Sequence, residues 1–569
     1  MPLLSALAAY YAARDVLLII YFVIGASVLV AMREFEPDSR DTIFIMLIAS
    51  ISLSLLFSST LSSPNLIGWD VHNEYYIFEQ VANTGTWKPG IEFQYNSALS
   101  ISILPAILTS VSGLNGVQVY KFVFPAIFSL VPVVFYKVYR KFMTPQMSFL
   151  AVFLIVSYFS FYQELIELAR QEVAELLLAL LLLLPLTASV NRSRDGKILI
   201  MLLTAGLVIS HYSIAYMYLL IVGFSILMSR ISKRSLPINS LPVFLLSGVF
   251  ALTYYIDVAS ASTALTMVKF LSSISNGLFQ DFFATSSRPL VEMQALGYAS
   301  VAPGVWHVFN RLTQYAVLLS LILGLFVFAL KGKKDATERQ ILPVMATAAM
   351  LLGLSASIPF FAAGLNLSRL FHIALLLMSP CIVYGTDKSV HALAYVFGRM
   401  RFRRLASFFA SRRLLAVLLL MSYFLCSSGW VWAASMDRPT SFVLDWQRMR
   451  GSSDPILRVT YFAEYTVTDD VAGAVWVHSY VNGDNVCSDY ISQYHVLNSY
   501  ADLPRSRPYL PANCNYANSY VYLSQLNDVY GIGTGDPGYV LWPVSTIATK
   551  LANDNRVYDN GGPAVYSAL

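Results

Sequence analysis

Asp70, His72 and Glu74 occupy alternate positions in Gly68-Trp69-Asp70-Val71-His72-Asn73-Glu74-Tyr75-Tyr76, directly after a long apolar segment. Two carboxylates and an imidazole at the end of such a segment are costly beside hydrocarbon unless they are used. A carboxylate against an apolar wall gains basicity through desolvation, which suits it to draw a proton from a hydroxyl nucleophile. On a helix, Asp70 and Glu74 share one face and His72 points elsewhere; in an extended segment all three line one side. Oxygen and imidazole donors so placed could also hold a divalent metal. Solvated loop acids are the bland alternative, and the position at the outer end of a span weighs against it.

A second group lies in Glu164-Leu165-Ile166-Glu167-Leu168-Ala169-Arg170-Gln171-Glu172-Val173-Ala174-Glu175, where four acids surround one arginine. On a helix Arg170 has Glu167 at i−3 and alanine at i+4, so Glu167 is its one local partner, and Glu172 and Glu175 stand unpaired. Acids there also suit the start of an apolar helix by its dipole, a structural reading of equal weight. Arg369, in Asn366-Leu367-Ser368-Arg369-Leu370-Phe371-His372, sits at the mouth of another apolar span with His372 three residues deeper. Arg369 either snorkels or grips a lipid phosphate through paired donors, and the second use is the expectation. His211-Tyr212 is a polar interruption of the same ambiguity, where packing or capping competes with a role in the site.

The elements that must position these residues are membrane helices. Over 569 residues, 56% are apolar, 14% aromatic and only 12% charged, a composition outside that of a single soluble core. Uncharged runs of about 18 to 22 residues, enough to cross about 30 Å of hydrocarbon, recur up to Trp432. Twelve are expected, over approximately 14–32, 42–62, 117–138, 146–163, 173–190, 197–211, 213–229, 238–258, 313–331, 341–361, 369–386 and 413–434. The sixth and seventh are short enough to be one broken hairpin around His211. The first has no small-residue cleavage site after it and is read as a retained helix.

Six alternate connections, holding Arg33/Arg40, Lys137/Arg140/Lys141, Arg192/Arg194/Lys197, Arg230/Lys233/Arg234, Lys331/Lys333/Lys334/Arg339 and Lys388 through Arg413, carry 22 of the 38 Lys and Arg but 8 of the 33 Asp and Glu. These are expected on the cytoplasmic side, which places both termini outside in a multi-pass protein of the cell (plasma) membrane. The net charge of +5 therefore reflects topology and gives no argument for nucleic-acid binding.

Two long outer loops are expected, at 63–116 and 259–312, both with interfacial helices, and two such loops on one face point to a site there. A crossing over Ser97 to Ser112 would put Lys137, Arg140 and Lys141 outside, so that stretch is read as an amphipathic interfacial helix. The transmembrane part is expected over 1–434. Residues 435–569, rich in Tyr, Asn, Asp, Gly and Pro, are expected to form a soluble extracytoplasmic α/β domain. It would have strands near Asn485–Tyr490 and Asn518–Leu523, a helix capped at Thr468-Asp469-Asp470 and another over Val544–Ala552. Cys487 and Cys514 lie in that region, where the compartment permits a disulfide but spacing does not fix it.

Five blocks in this order carry a resemblance: Gly68 to Tyr75, Gln94 to Ser100, Ser210 to Ser213, Asn366 to Ile373 and Val557 to Gly562. Together they resemble an archaeal family of large polytopic membrane proteins related to the GT-C class of glycosyltransferases. The resemblance implies a mainly α, GT-C-like bundle that moves a sugar from a polyprenyl (dolichyl) phosphate carrier to a glycan, lipid or protein acceptor on the extracytoplasmic face. It implies Asp70 as base or acceptor-orienting group with Glu74 as helper, and Arg369 with His372 at the donor phosphate. His72, Glu167, Arg170, Glu172, His211 and Tyr212 are further candidates. The class usually carries its acid after the first helix, whereas Asp70 follows the second, so the first span would be an addition.

The residues fix no cofactor with certainty; a divalent metal at the acids is open, and would be expected for oligosaccharyl transfer. Membrane lipids are expected partners and nucleic acid is not. The competing class is a transporter or flippase of lipid-linked sugars, whose binding groups belong near midplane on broken helices of related halves. Here the acids cluster at outer mouths and no internal repeat is evident.

Overall fold

The computed structural model describes residues 1–89, 93–187, 190, 193–233, 235–280, 304–332, 334–361, 366–399, 413–481, 485–505, 509–511, 514, 516, 519–536, 538 and 540–567. Among the residues singled out above, Arg192, Arg234, Lys333, Asn518 and the basic stretch over 400–412 lie outside the described residues, as does 281–303 of the second outer loop.

Among the described residues the apolar runs fall mostly on helices, but the expected twelve do not all form continuous helices of crossing length. Among the described residues, six helices are long and apolar enough to cross a membrane: Arg14–Met32, Pro37–Thr60, Gly116–Tyr139, Tyr212–Ile231, Val305–Leu330 and Ala336–Ser357. Two bent pairs raise the number to eight, Pro145–Ser157 with Phe159–Glu167 (72°) and Leu367–Met378 with Pro380–Ser389 (74°). The helices Ala169–Leu183, Arg194–Ser210, Leu241–Asp257 and Leu414–Ser427 are shorter. At 1.5 Å of rise per residue, 14 to 17 residues fall short of the hydrocarbon thickness.

Breaks occur where polar residues interrupt the apolar pattern. The sixth and seventh runs meet at His211, a single extended residue between Arg194–Ser210 and Tyr212–Ile231. The helix over Leu99–Ser112, with Pro105 inside, is also below crossing length. The second long loop begins with a helix over Ser262–Gln280, and the following span starts at Val305, eight residues before the expected 313.

Among the described residues the C-terminal region contains helices Pro455–Glu464 and Thr468–Tyr480 and six short strands. β1 (Val486–Cys487), β2 (Tyr520–Leu523), β5 (Asn555–Asp559) and β6 (Ala564–Ser567) form one sheet in the order β1-β2-β6-β5, parallel between β1 and β2 and antiparallel elsewhere. β3 (Ile532–Gly535) and β4 (Val540–Pro543) form a separate hairpin that sequence patterning did not show. The Thr468 helix forms as expected, with Asp469 and Asp470 in its first turn, but Thr468 is its first residue and no side chain caps it. Cys487 and Cys514 are disulfide-bonded, with Cα atoms 5.9 Å apart. The bond joins β1 to the segment that leads into β2.

Residues 61–69 form the seam between the helices and this C-terminal region. Asn65 Nδ2 donates to Thr466 O (3.1 Å), the Leu66 N–H to Tyr500 Oη (3.1 Å), and Ile67 pairs with Tyr465 in an antiparallel bridge. From below, the buried Lys121 donates its Nζ to Ser63 O and to Asn65 O (3.1 Å). With its backbone groups satisfied from both sides, the seam fixes the position of the next residue in the chain, Asp70.

Candidate active site

Three chain segments end or begin at one point. The 61–69 seam turns at Gly68, whose φ of +100° is a conformation that glycine alone adopts without strain, and the Asp70–Thr84 helix starts one residue after Trp69. A Cβ on Gly68 would stand 2.6 Å from Glu167 Oε2. Glu167 closes a 3-10 turn (Leu165–Glu167), and the Ala169–Leu183 helix begins two residues later with Arg170 in its first turn. Asn366 accepts the Ser368 N–H (3.2 Å) and starts the Leu367–Met378 helix, which puts Arg369 in a first turn as well.

The helical alternative for Asp70 and Glu74 is the one formed, and both carboxylates face arginine. Asp70 Oδ2 accepts from Arg369 Nη1 (3.2 Å) and Arg170 Nη2 (3.5 Å), and its Oδ1 accepts the Tyr95 hydroxyl (3.1 Å). Arg369 Nη2 donates to Glu167 Oε1 (3.0 Å), while Glu167 Oε2 accepts the Trp69 N–H (2.5 Å). Arg170 Nη1 donates to Glu74 Oε1, and its guanidinium stacks 4.5 Å from the Tyr95 ring centroid. Asp70 and Arg369 keep 19% and 23% of their side-chain surface exposed, whereas Glu74 keeps none. The accessible edge of the cluster is thus the Asp70–Arg369 contact.

Electrostatics divide the two carboxylates on this helix. Burial alone would raise Asp70, but the charges of Arg170, Arg369 and Arg505 outweigh it and hold the carboxyl below its usual range. Burial pushes Glu74 up to about 7, with Arg170 pulling against it and Asp70 adding to the rise. Asp70 is therefore an ionised acceptor at neutral pH. Glu74 is a buried partner that fixes Arg170.

Several expectations need correction. Arg170 does not pair with Glu167: Glu167 is taken by Arg369, and Arg170 turns to Glu74 and Asp70 on another helix. His372 lies three residues deeper than Arg369, as expected, and is fully buried, its Nε2 3.0 Å from Glu175 Oε2 on the Ala169–Leu183 helix and not at the exposed edge with Arg369. Glu175 is accordingly paired, and also accepts from Gln171 Nε2 (2.8 Å). Glu172 is fully buried, and neither carboxylate oxygen has a hydrogen-bond partner among the described residues.

His72 points away from Asp70, as the helix requires. Its Nδ1 stands 2.5 Å from Ser499 Oγ and its Nε2 3.1 Å from Thr466 Oγ1, and its ring stacks on His495 at 4.8 Å. His211 caps the Tyr212–Ile231 helix by accepting the Ser213 N–H at its Nδ1 (3.2 Å), with the Tyr212 ring stacked 5.4 Å away. Both His211 and Tyr212 lie within electrostatic reach of Arg170, so they border the cluster.

The metal reading does not fit these residues. Asp70, His72 and Glu74 do not converge, and Asp70 and Glu167 are bridged by a guanidinium. Among the described residues no group of three or more His, Cys, Asp or Glu is arranged to hold an ion.

Sequence reasoning missed three contributors. Tyr95 lay in a recognised block, Gln94 to Ser100, yet nothing local tied it to Asp70. Arg505 reaches the residue before Asp70, its Nη2 donating to Trp69 O (3.0 Å). Glu464 accepts the Gly68 N–H at its backbone carbonyl (2.9 Å), and its carboxyl, pushed well up by burial, faces Glu167 and Glu164. Neither Arg505 nor Glu464 carries a local signal, since each becomes part of the cluster only by docking of the C-terminal region.

Among the described residues, six apolar helices of crossing length, with a buried ion cluster where helix starts meet, define a multi-pass membrane protein. The chain belongs to the family described as "Predicted membrane protein (DUF2206)", whose model matches residues 196–566. Among solved structures, ArnT from Cupriavidus metallidurans in the apo state is similar at 12% identity and a TM-score of 0.49, covering 93% of this chain and 98% of that one. The Archaeoglobus fulgidus oligosaccharyltransferase in complex with Zn and sulfate is similar at 12% identity and a TM-score of 0.49, covering 92% of this chain and 73% of that one. The archaeal oligosaccharyltransferase AglB from the same organism, in complex with an inhibitory peptide and a dolichol-phosphate, gives 12% identity and a TM-score of 0.46 over 87% and 70%. No curated protein matches the chain. With TM-scores below 0.5, the chemistry of the cluster stands on its own residues.

Proposed function

We propose that the chain is a GT-C-type membrane glycosyltransferase that moves a sugar from a polyprenyl-phosphate carrier to a hydroxyl of a surface-glycan or lipid-linked acceptor. The reading puts the site on the extracytoplasmic face of the plasma membrane, with both termini on that side and residues 435–569 as a domain over the site. The observation that carries it is the contact of Asp70 with Arg369 at 3.2 Å, between residues 299 apart in the chain, at the exposed edge of an otherwise closed ion cluster.

The two groups suit opposite ends of one displacement. The acceptor hydroxyl donates to Asp70 and attacks the anomeric carbon, and the bond from that carbon to the carrier phosphate breaks on the far side, inverting the centre. Held low by its guanidinium neighbours, Asp70 is a weak base. It takes the proton late, as the attacking oxygen becomes strongly acidic on forming its new bond. Arg369, with its Nε unpartnered among the described residues, stabilises the charge that collects on the departing phosphate. The products are the glycoside and the polyprenyl phosphate, whose tail stays in the bilayer throughout.

A transfer assay with radiolabelled polyprenyl-phosphate sugars tests this, comparing the parent with Asp70→Asn and Arg369→Ala. Loss of transfer in both folded variants is expected, and full transfer in both would sink the assignment.

A further inference from the structure

Arg505 differs from the two other arginines at the cluster. Arg170 is held by Glu74 and Asp70, and Arg369 by Asp70 and Glu167. Either would have to release a carboxylate to turn its Nη groups on a phosphate. Arg505 has no carboxylate within ion-pair distance among the described residues, and its hydrogen bonds run through Nη2 alone, to Trp69 O (3.0 Å) and Tyr494 O (3.3 Å). Among the described residues its buried Nε has no partner. The Tyr494 ring, 5.1 Å from the guanidinium, backs one face and fixes its plane.

A guanidinium with donor groups left over, held next to the residue that precedes Asp70, matches what a phosphoryl group needs: charge and a planar fork of N–H donors. The anchor on Trp69 O ties its position to the start of the Asp70 helix, so the donor and Asp70 move together.

Resting on the glycosyltransferase reading, we infer that Arg505 binds the phosphoryl group of the lipid-carried substrate, and that the C-terminal region thereby supplies part of the donor site. Arg369 then faces the same group from the membrane-helix side. The two arginines bracket it, and neither half of the chain makes the site alone.

Binding, measured without turnover, separates this inference from the reaction itself. Full-length protein in lipid nanodiscs is titrated with a long-chain polyprenyl phosphate, with the matching uncharged polyprenol, and with inorganic phosphate as competitor. Arg505→Gln is expected to weaken polyprenyl-phosphate binding by about tenfold while leaving polyprenol binding unchanged, as loss of a charge-assisted hydrogen bond predicts. Arg505→Lys, which keeps the charge without the fork, should recover part of the loss. Inorganic phosphate should displace the lipid phosphate from the parent more readily than from Arg505→Gln.

Unchanged polyprenyl-phosphate affinity in Arg505→Gln, or an equal loss for the polyprenol, overturns the inference. If Arg505→Gln fails to fold, Arg505→Lys decides: a folded lysine variant with full affinity for the lipid phosphate also overturns it. A parent that transfers sugar while Arg505→Gln binds normally refutes Arg505 alone, whereas a parent that binds no polyprenyl phosphate removes the functional reading with it.

Discussion

Glu167 and Arg369, 202 residues apart, meet at 3.0 Å, and the other carboxylate oxygen of Glu167 accepts the Trp69 N–H at 2.5 Å. One side chain thus ties together the turn before Asp70, the break before Arg170 and the first turn of the Arg369 helix. Positions that a reaction needs fixed within a fraction of an ångström are set here by a carboxylate that need not touch substrate.

Glu167→Gln should therefore act on both stability and rate. Losing this partner while Arg369 keeps Asp70 is expected to cost about 2 kcal/mol, as for a charge-assisted hydrogen bond, and to lower the thermal midpoint in detergent. Transfer should fall about a hundredfold through misplacement of Arg369. A variant with parental midpoint and parental transfer would show that the clamp positions nothing.

The buried Glu74–Arg170 pair predicts a different pattern. Arg170→Gln should destabilise by about 3 to 5 kcal/mol, because it leaves the buried Glu74 carboxylate without its cation, and Glu74→Gln by less, because Arg170 keeps Asp70. The double variant should lose less than the sum of the two. Denaturation of all four proteins in one detergent reads the coupling directly, and strict additivity would refute the pairing.

His72 and His495 make the seam sensitive to acid. Burial holds His72 well below its usual 6.5, and burial with the charge of Arg505 takes His495 down to about 3. The unfolded chain takes up protons near 6.5 while the folded one does not, so the unfolded state binds more protons between the two values. Stability then rises with pH across that window and is lost as pH falls from 6.5 toward 3. Thermal midpoints measured at descending pH should drop more steeply for the parent than for His495→Phe, and parallel curves would count against this role.

Reduction should loosen the C-terminal region first. The Cys487–Cys514 bond closes a loop with a sequence separation of 27, for which chain entropy gives about 3 to 4 kcal/mol. Limited proteolysis with and without reductant is expected to show faster cleavage between β1 and β2 after reduction. Equal rates would argue that the surrounding packing suffices.

Much of the helical framework was legible because hydrophobicity is a local property. Among the described residues the apolar runs fall mostly on helices, and the boundaries failed mainly where helices bend, at Tyr158 and Ser379, or begin early, at Val305. The β3–β4 hairpin was missed because its strands are four residues each and include Gly533 and Gly535, which carry no alternating pattern. Of the site, Asp70, Glu74, Glu167, Arg170 and Arg369 were legible as charges placed where apolar spans begin or end.

Their partners were not. Sequence spacing assigns Arg170 to Glu167 because only i±3 and i±4 neighbours can be read from a helix, whereas the folded chain gives Arg170 to Glu74 and Glu167 to Arg369. The same limit hid Tyr95, Glu464 and Arg505, and the pairing of His372 with Glu175. Composition along the chain determined that this is a membrane protein and which ionisable residues were costly enough to need a purpose. Which of them touch, which stay open to a substrate and which are sealed away depended on packing between segments hundreds of residues apart, and pairing over that distance leaves no trace in local periodicity.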